Sequence, residues 1–222
     1  MLLLSVSTSS STASAALSHD GALLALLKGE SGLTHSETIL PLCERLLEEH
    51  GLSARDIDAY AVDIGPGSFT GVRIGICAVN AMAAASNCAV AGVCSLDALH
   101  ESAKQYTSVC ALIDAKSKKV YAAHYENGAA KLPPCATTLH ELLPLLPRGS
   151  FYVGDGAAAY AEDILAFDET ANVHRDGALF ADAVAAKGYI FHQSGDAQRE
   201  ALPLYLRPSQ AERLRGAGKE TV

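Results

Sequence analysis

The chain has 222 residues, 49% of them apolar and 19% charged, with a formal net charge of −8. That composition excludes a disordered chain, and the length suits one large domain or two small ones. The acidic balance argues against a broad basic face for nucleic acid, and 6% aromatics with no Trp leave little for a base-stacking platform.

Leu2–Leu4 followed by Ala13-Ser14-Ala15 is not read as a secretory leader, because no basic residue precedes the apolar stretch and Ser5 and Ser7 interrupt it. No unbroken window of 18 apolar residues is found, so no membrane span is expected. The six cysteines contain no C-x-x-C pair and four lie inside apolar runs. They are read as reduced core thiols, which places the protein in a reducing cytoplasm.

In chain order, Leu2 to Val6 reads as a strand, Ser7 to Thr12 as a turn, Ala13 to Leu17 as a returning strand and Asp20-Gly21 as the next turn. A helix over Ser36 to His50 and a strand over Asp58 to Ile64 follow. The strand ends in Gly65-Pro66-Gly67 and opens a second helix over Phe69 to Ala85. The order then repeats. Val109 to Ile113 and Val120 to His124 form a hairpin around polar Asp114 to Lys119, with a turn at Asn127-Gly128. A helix over Leu139 to Leu146, a strand over Ser150 to Val153, Gly154-Asp155-Gly156 and a helix over Ala157 to Phe167 come next. Ser7 to Gly21 and Asp114 to Gly128 have the same spacing. Two such modules imply a duplicated α/β architecture with its boundary in the polar stretch Ser102 to Ser108. A strand-and-helix segment near Asn172 to Phe191, an apolar stretch Leu202 to Leu206 and a frayed tail from about Leu214 to Val222 complete the chain.

The segment Gly65-Pro66-Gly67-Ser68-Phe69-Thr70-Gly71 admits two readings. Free N–H groups at the helix start, capped by Ser68 or Thr70, could hold an anion, or the glycines could serve close packing alone. It is neither a P-loop nor a nucleophile elbow. His35 beside Ser36 and Glu37 is read as helix-start chemistry, since sequence neighbours rarely converge as a triad. None of the eight histidines pairs with another at metal-binding spacing, so no metal site is expected. The first helix carries apolar Ile39, Leu40, Leu42, Cys43, Leu46 and Leu47, and the second has hardly a polar side. Such a helix is either buried within its module or covered by another chain. The few helices in a module of this size favour a subunit interface.

These residues resemble the TsaB (YeaZ) family, the bacterial accessory subunit of tRNA threonylcarbamoyladenosine synthesis. The resemblance is carried by His35-Ser36-Glu37 with Leu40-Pro41, by Gly65 to Gly75, and by Gly92 to Leu99. It continues in Asp114-Ala115 with Val120-Tyr121, in Gly154-Asp155-Gly156, and in Pro203-Leu204-Tyr205-Leu206-Arg207. It implies an α/β, duplicated actin-like ATPase (ASKHA, ribonuclease H-like) fold: a first lobe over 1–103 bearing the partner-binding helices, and a shortened second lobe over 104–222 with a flexible tail. It implies a non-catalytic scaffold with no catalytic residue and no metal, which binds and activates the threonylcarbamoyltransferase TsaD for modification of adenosine 37 of tRNA. A TsaE-like ATPase joins the pair, tRNA is met only through the complex, the membrane is not involved, and the chain forms a homodimer when alone.

On this resemblance Ile39, Leu42, Leu46, Arg73, Ile76 and Val79 are expected at the partner face. His35, Glu37, Gly67, Ser68, Phe69 and Thr70 shape the helix starts, while Ser7, Thr8, Asp114, Gly154 and Asp155 line a nucleotide cleft. No intrinsic cofactor is expected, with ADP or ATP at the junction of the complex. Two departures stand out. Ser95 and Leu99 occupy the places where the catalytic relative carries two metal-binding histidines, with His100 one residue displaced. Ser7 stands where the family pattern has Asp. The rival readings are an active ASKHA-type ATPase or phosphotransferase working in that cleft, and a metallopeptidase-like protein.

Overall fold

The computed structural model describes residues 1–30 and 33–207. The expected frayed tail at Leu214 to Val222 lies outside the described residues. Strands β1 (Leu2–Ser7), β2 (Ser14–His19) and β3 (Ala22–Lys28) form an antiparallel meander. β1 also pairs in parallel with β4 (Ala59–Asp63), and β4 with β5 (Ala89–Val93), giving the order β3-β2-β1-β4-β5. The second sheet is built from β6 (Ser108–Asp114), β7 (Lys119–Glu126), β8 (Ala129–Thr138), β9 (Phe151–Val153) and β10 (Asn172–Val173). Its order, β8-β7-β6-β9-β10, repeats the first: a meander, then two parallel strands, with the opening strand at the centre. The duplication is thus present in topology.

Local chemistry explains the meanders. Asp20 and Gly21 have φ of 49° and 81°, and Asn127 and Gly128 have 51° and 79°. Both pairs make two-residue turns of the kind that match the twist of paired strands.

The layers follow from strand alternation. On β1, Leu4 and Val6 face the core beneath α1 (His35–Glu48) and α2 (Phe69–Ser86), while Leu3 faces the opposite core. On β6, Cys110 and Leu112 face α4 (Leu139–Leu142), α5 (Asp155–Ala159) and α6 (Ala161–Phe167), while Val109, Ala111 and Ile113 face inward. Between the sheets lie α3 (Ser95–Ser102), packed on β6 and β7, and α7 (Ala181–Ser194), packed on the first sheet. Helix α7 therefore returns to the first lobe although the 104–222 segment carries it, and the central core binds the lobes together. The parallel strands of the second sheet are the short ones: β9 has 3 residues and β10 has 2, against 5 in each of β4 and β5.

Two expectations need correction. The helix expected over Ala157 to Phe167 is two helices broken at Tyr160, whose φ of −115° and ψ of 23° leave the helical range. The helix expected over Leu139 to Leu146 stops at Leu142 and tightens into a 3₁₀ turn over Leu143–Leu145 that contains Pro144. Helix α2, at 18 residues, is long and apolar enough to cross a membrane by length and composition alone, with Arg73 and Asn80 interrupting its apolar residues, and it serves as a core helix of the first lobe. Its larger side chains Val72, Ile76 and Val79 are packed into the first core.

Candidate functional site

The ends of β1, β4 and β6 converge on a cleft between the lobes. It has a volume of about 420 Å³ and is lined by Ser9, Ser10, His35, Ser68, Asp114, Lys116 and Asp155 among others. Its first wall is the Ser7 to Thr12 turn, and that turn is closed upon a carboxylate. Asp63, at the end of β4, is fully buried. It accepts hydrogen bonds from the Ser7 hydroxyl at 2.9 Å, from the Thr8 and Ser9 amides at 3.1 Å each, and from the Ser9 hydroxyl. Burial raises the pKa of Asp63, and the four donors work against that rise.

The second wall comes from the other hairpin. Asp114 accepts from the Lys116 amide at 2.8 Å and the Tyr160 hydroxyl at 3.1 Å, and pairs with the Lys116 ammonium at 2.8 Å. Burial pushes the Asp114 pKa up, but these contacts outweigh it and the net shift is downward. The Asp114 amide donates to Asp155 at 3.0 Å. Asp155 is shifted upward, first by desolvation of its carboxyl and then by the charge of Asp114. Gly154 sits at φ +109°, and a Cβ there would lie 2.0 Å from the Leu112 carbonyl. The turn that presents Lys116 is itself unusual, since Lys116, Ser117 and Lys118 all have φ between 56° and 63°.

Of the residues expected to line this cleft, Asp114 and Asp155 do so, whereas Ser7 and Thr8 are fully buried behind its first wall and Gly154 is buried beneath its second, beside the Leu112 carbonyl. The lining does not suit a polyphosphate on its own. A nucleoside triphosphate would meet two carboxylates and a lysine already paired with one of them, and the Thr8 and Ser9 amides of the first turn already serve Asp63.

The two helix starts are used internally. Glu37 accepts from the Thr34 amide at 3.0 Å and the Thr34 hydroxyl at 2.5 Å, closing a capping box that lowers its pKa. His35 Nε2 donates to the Ser10 carbonyl at 2.9 Å, so the imidazole ties α1 to the turn rather than to Glu37. At α2, the Ser68 amide donates to the Ser9 carbonyl at 2.8 Å and the Gly71 amide to the Ser68 hydroxyl at 3.2 Å. A Cβ on Gly71 would fall 2.1 Å from the Thr8 carbonyl, and one on Gly75 2.2 Å from the Thr8 hydroxyl. Of the two readings of this motif, close packing is the one the geometry supports.

A family model described as TsaD, tRNA N6-adenosine threonylcarbamoyltransferase, matches residues 30–191. The chain is 32% identical to the tRNA threonylcarbamoyladenosine biosynthesis protein TsaB of Escherichia coli, over 95% of this chain and 96% of that protein. The chain belongs to the TsaB (YeaZ) family. YeaZ from Pseudomonas aeruginosa superposes with a TM-score of 0.76 at 27% identity, over 92% of this chain and 99% of that one. An activator of 2-hydroxyisocaproyl-CoA dehydratase from Clostridium difficile, at 11% identity, covers 88% of this chain and 97% of that one with a TM-score of 0.59. That likeness shows the fold alone, the duplicated actin-like architecture.

The segment of Ser95 and Leu99 is interior. Ser95 and Leu99 are buried, and the Ser95 hydroxyl contacts the Ser9 hydroxyl at 3.3 Å. His100 stacks on Tyr125 with ring centres 4.1 Å apart, and burial lowers its pKa.

The expected partner face requires correction. Ile39, Leu42, Leu46, Ile76 and Val79 point into the first lobe's own core, and of the six residues named only Arg73 is exposed. The physical reason is the sheet, which needs one apolar stripe from each helix and receives the larger side chains. The outward faces carry Leu40 and Pro41 on α1, and Phe69, Thr70, Cys77, Ala81, Ala84 and Ala85 on α2. Beyond Phe69, Thr70 and Arg73, the small, unbranched Cys77, Ala81, Ala84 and Ala85 leave a smooth surface on which a second helix could approach closely. Phe69 stacks on Tyr205 with centroids 5.1 Å apart, and the Arg73 guanidinium lies 4.0 Å over the Phe69 ring. Sequence reasoning missed the outward set because small apolar residues score as core. The i, i+3, i+4, i+7, i+8 run of Ile39, Leu42, Cys43, Leu46 and Leu47 was the signal for the inward side.

Proposed function

We propose that this chain is a non-catalytic partner subunit that binds and activates a TsaD-type threonylcarbamoyltransferase in the threonylcarbamoylation of adenosine 37 of tRNA. The observation that carries the proposal is the outward face of α2, an exposed strip of small and apolar residues interrupted by one charge, Arg73. Contiguous apolar surface of this kind marks an interaction site. The cleft supports the same reading, because the Thr8 and Ser9 amides and the Lys116 ammonium are already engaged by the chain's own carboxylates. In this reading the chain works in the cytoplasm, a TsaE-like ATPase joins the complex, and tRNA is reached only through the complex. ADP or ATP belongs to the junction between subunits. Without the transferase, the same face pairs with a second copy.

The test is binding and function together. The chain with Ala81→Asp should keep its fold yet lose co-purification with the transferase, and should fail to restore threonylcarbamoyladenosine to the tRNA of cells depleted of the chain. Undiminished binding and full restoration by this variant would reject the proposal.

A further inference from the structure

We infer that Arg73 is the polar anchor of the α2 face and receives a carboxylate presented by the transferase partner. The inference rests on the partner reading above and adds the chemistry the partner must supply.

Arg73 is the single charged residue on the outward side of α2. It is held in place before any partner arrives. Its Nε donates to the Tyr205 hydroxyl at 2.7 Å, and its guanidinium lies 4.0 Å over Phe69, whose ring in turn stacks on Tyr205. Tyr205 is delivered by a strap tied to the first lobe at three points. The Ala201 amide donates to the Asn80 side chain at 2.9 Å, and that side chain donates back to the Ala201 carbonyl at 3.0 Å. The Leu204 amide donates to the Ile64 carbonyl at 2.8 Å. Among the described residues no carboxylate pairs with Arg73. A guanidinium whose Nε is already bonded still offers its two terminal nitrogens. That planar fork fits a carboxylate or a phosphate in two parallel hydrogen bonds.

The surroundings choose between these ligands. The polyanionic backbone of RNA is disfavoured by the chain's net charge of −8 and by the neighbouring helix α1, whose exposed residues include Glu37, Glu44 and Glu48 with one arginine, Arg45, already paired to Glu49 at 2.8 Å. A protein carboxylate brings a single charge on an apolar surface and suits the small residues beyond Arg73. Arginine and tyrosine fixed beside an aromatic ring are also the residue types that dominate interface energetics. Because the side chain is already ordered, little rotamer freedom is lost on binding.

The test uses the full chain and a TsaD-type transferase, with affinity measured by calorimetry at about 0.05 and about 0.3 M salt. Arg73→Gln should weaken binding by about tenfold or more and flatten the dependence on salt. Arg73→Lys should recover the salt dependence but only part of the affinity, because it restores charge without the fork. Tyr205→Phe should weaken binding by a few-fold with an unchanged melting temperature, because it only loosens the anchor. Wild-type affinity in Arg73→Gln would overturn the inference, as would a loss with the salt dependence intact. So would a loss confined to self-association or to tRNA binding. Failure of the wild-type chain to bind the transferase is a different result, and removes the partner reading itself.

Discussion

Leu46 separates the inward and outward sides of the first-lobe helices. Its side chain is fully buried, in one cluster with Ile39, Tyr60, Val62 and Val79. Leu46→Ala removes most of the side chain from a site the sheet cannot collapse to fill, so about 2–5 kcal/mol of stability should be lost. With a urea slope of about 2 kcal/mol per molar, the unfolding midpoint should fall by about 1–2.5 M. Against a total of about 5–15 kcal/mol this is severe. Ala81→Asp, on the exposed side of α2, should cost less than about 1 kcal/mol and leave the midpoint nearly in place. Urea titrations of both variants, each paired with a transferase-binding measurement, make the comparison. A Leu46→Ala chain with an unshifted midpoint and abolished transferase binding would refute the reasoning, because it would place Leu46 on the outside.

Gly75→Ala should cost about 1–3 kcal/mol in the same titration, because its Cβ would meet the Thr8 hydroxyl at 2.2 Å and push the turn off α2; an unshifted midpoint would contradict that packing. Acid titration tests the far end of the second sheet. Burial holds the His124 pKa below its usual 6.5, and Nε2 lies 2.9 Å from the Ser108 hydroxyl. The unfolded chain therefore binds a proton first as pH falls, so this contribution is complete above about pH 6.5 and is lost as pH drops through the lowered value. Buried His100 acts in the same direction. His124→Gln should flatten the loss of stability between about pH 7 and 5, by at most about 1.4 kcal/mol per pH unit; an identical acid profile would count against it.

The features legible in the sequence are those set by neighbouring residues. Asp20-Gly21 and Asn127-Gly128 announce their turns because few other residues adopt positive φ twice in succession. The capping box at Thr34 and Glu37 lies three residues apart on one turn. The orientation of α2 was not legible, since a helix apolar all round gives no preferred side until the sheet takes Val72, Ile76 and Val79 and leaves the alanines out. Contacts between distant residues were equally hidden. Arg73 and Tyr205 are 132 residues apart, and α7 crosses from the second sheet to the first. Asp63 was passed over as the end of a strand, because its four donors come from a turn more than fifty residues earlier.

That turn also explains the departure at Ser7. An Asp there would bring a second carboxylate to within about 3 Å of buried Asp63, and two carboxylates so close cannot both ionise. Ser7 instead supplies a donor, and Asp63 then draws the Thr8 and Ser9 amides inward, leaving those donors engaged rather than open to a phosphate. The tightened turn has a second use. The Ser9 carbonyl takes the Ser68 amide, and the Thr8 hydroxyl donates to the Gly71 carbonyl at 2.8 Å, so the turn fixes where α2 begins. Phe69, Thr70 and Arg73 are the first outward residues of that helix. The same hydrogen bonds that engage the Thr8 and Ser9 amides therefore also fix where α2 and its outward residues begin.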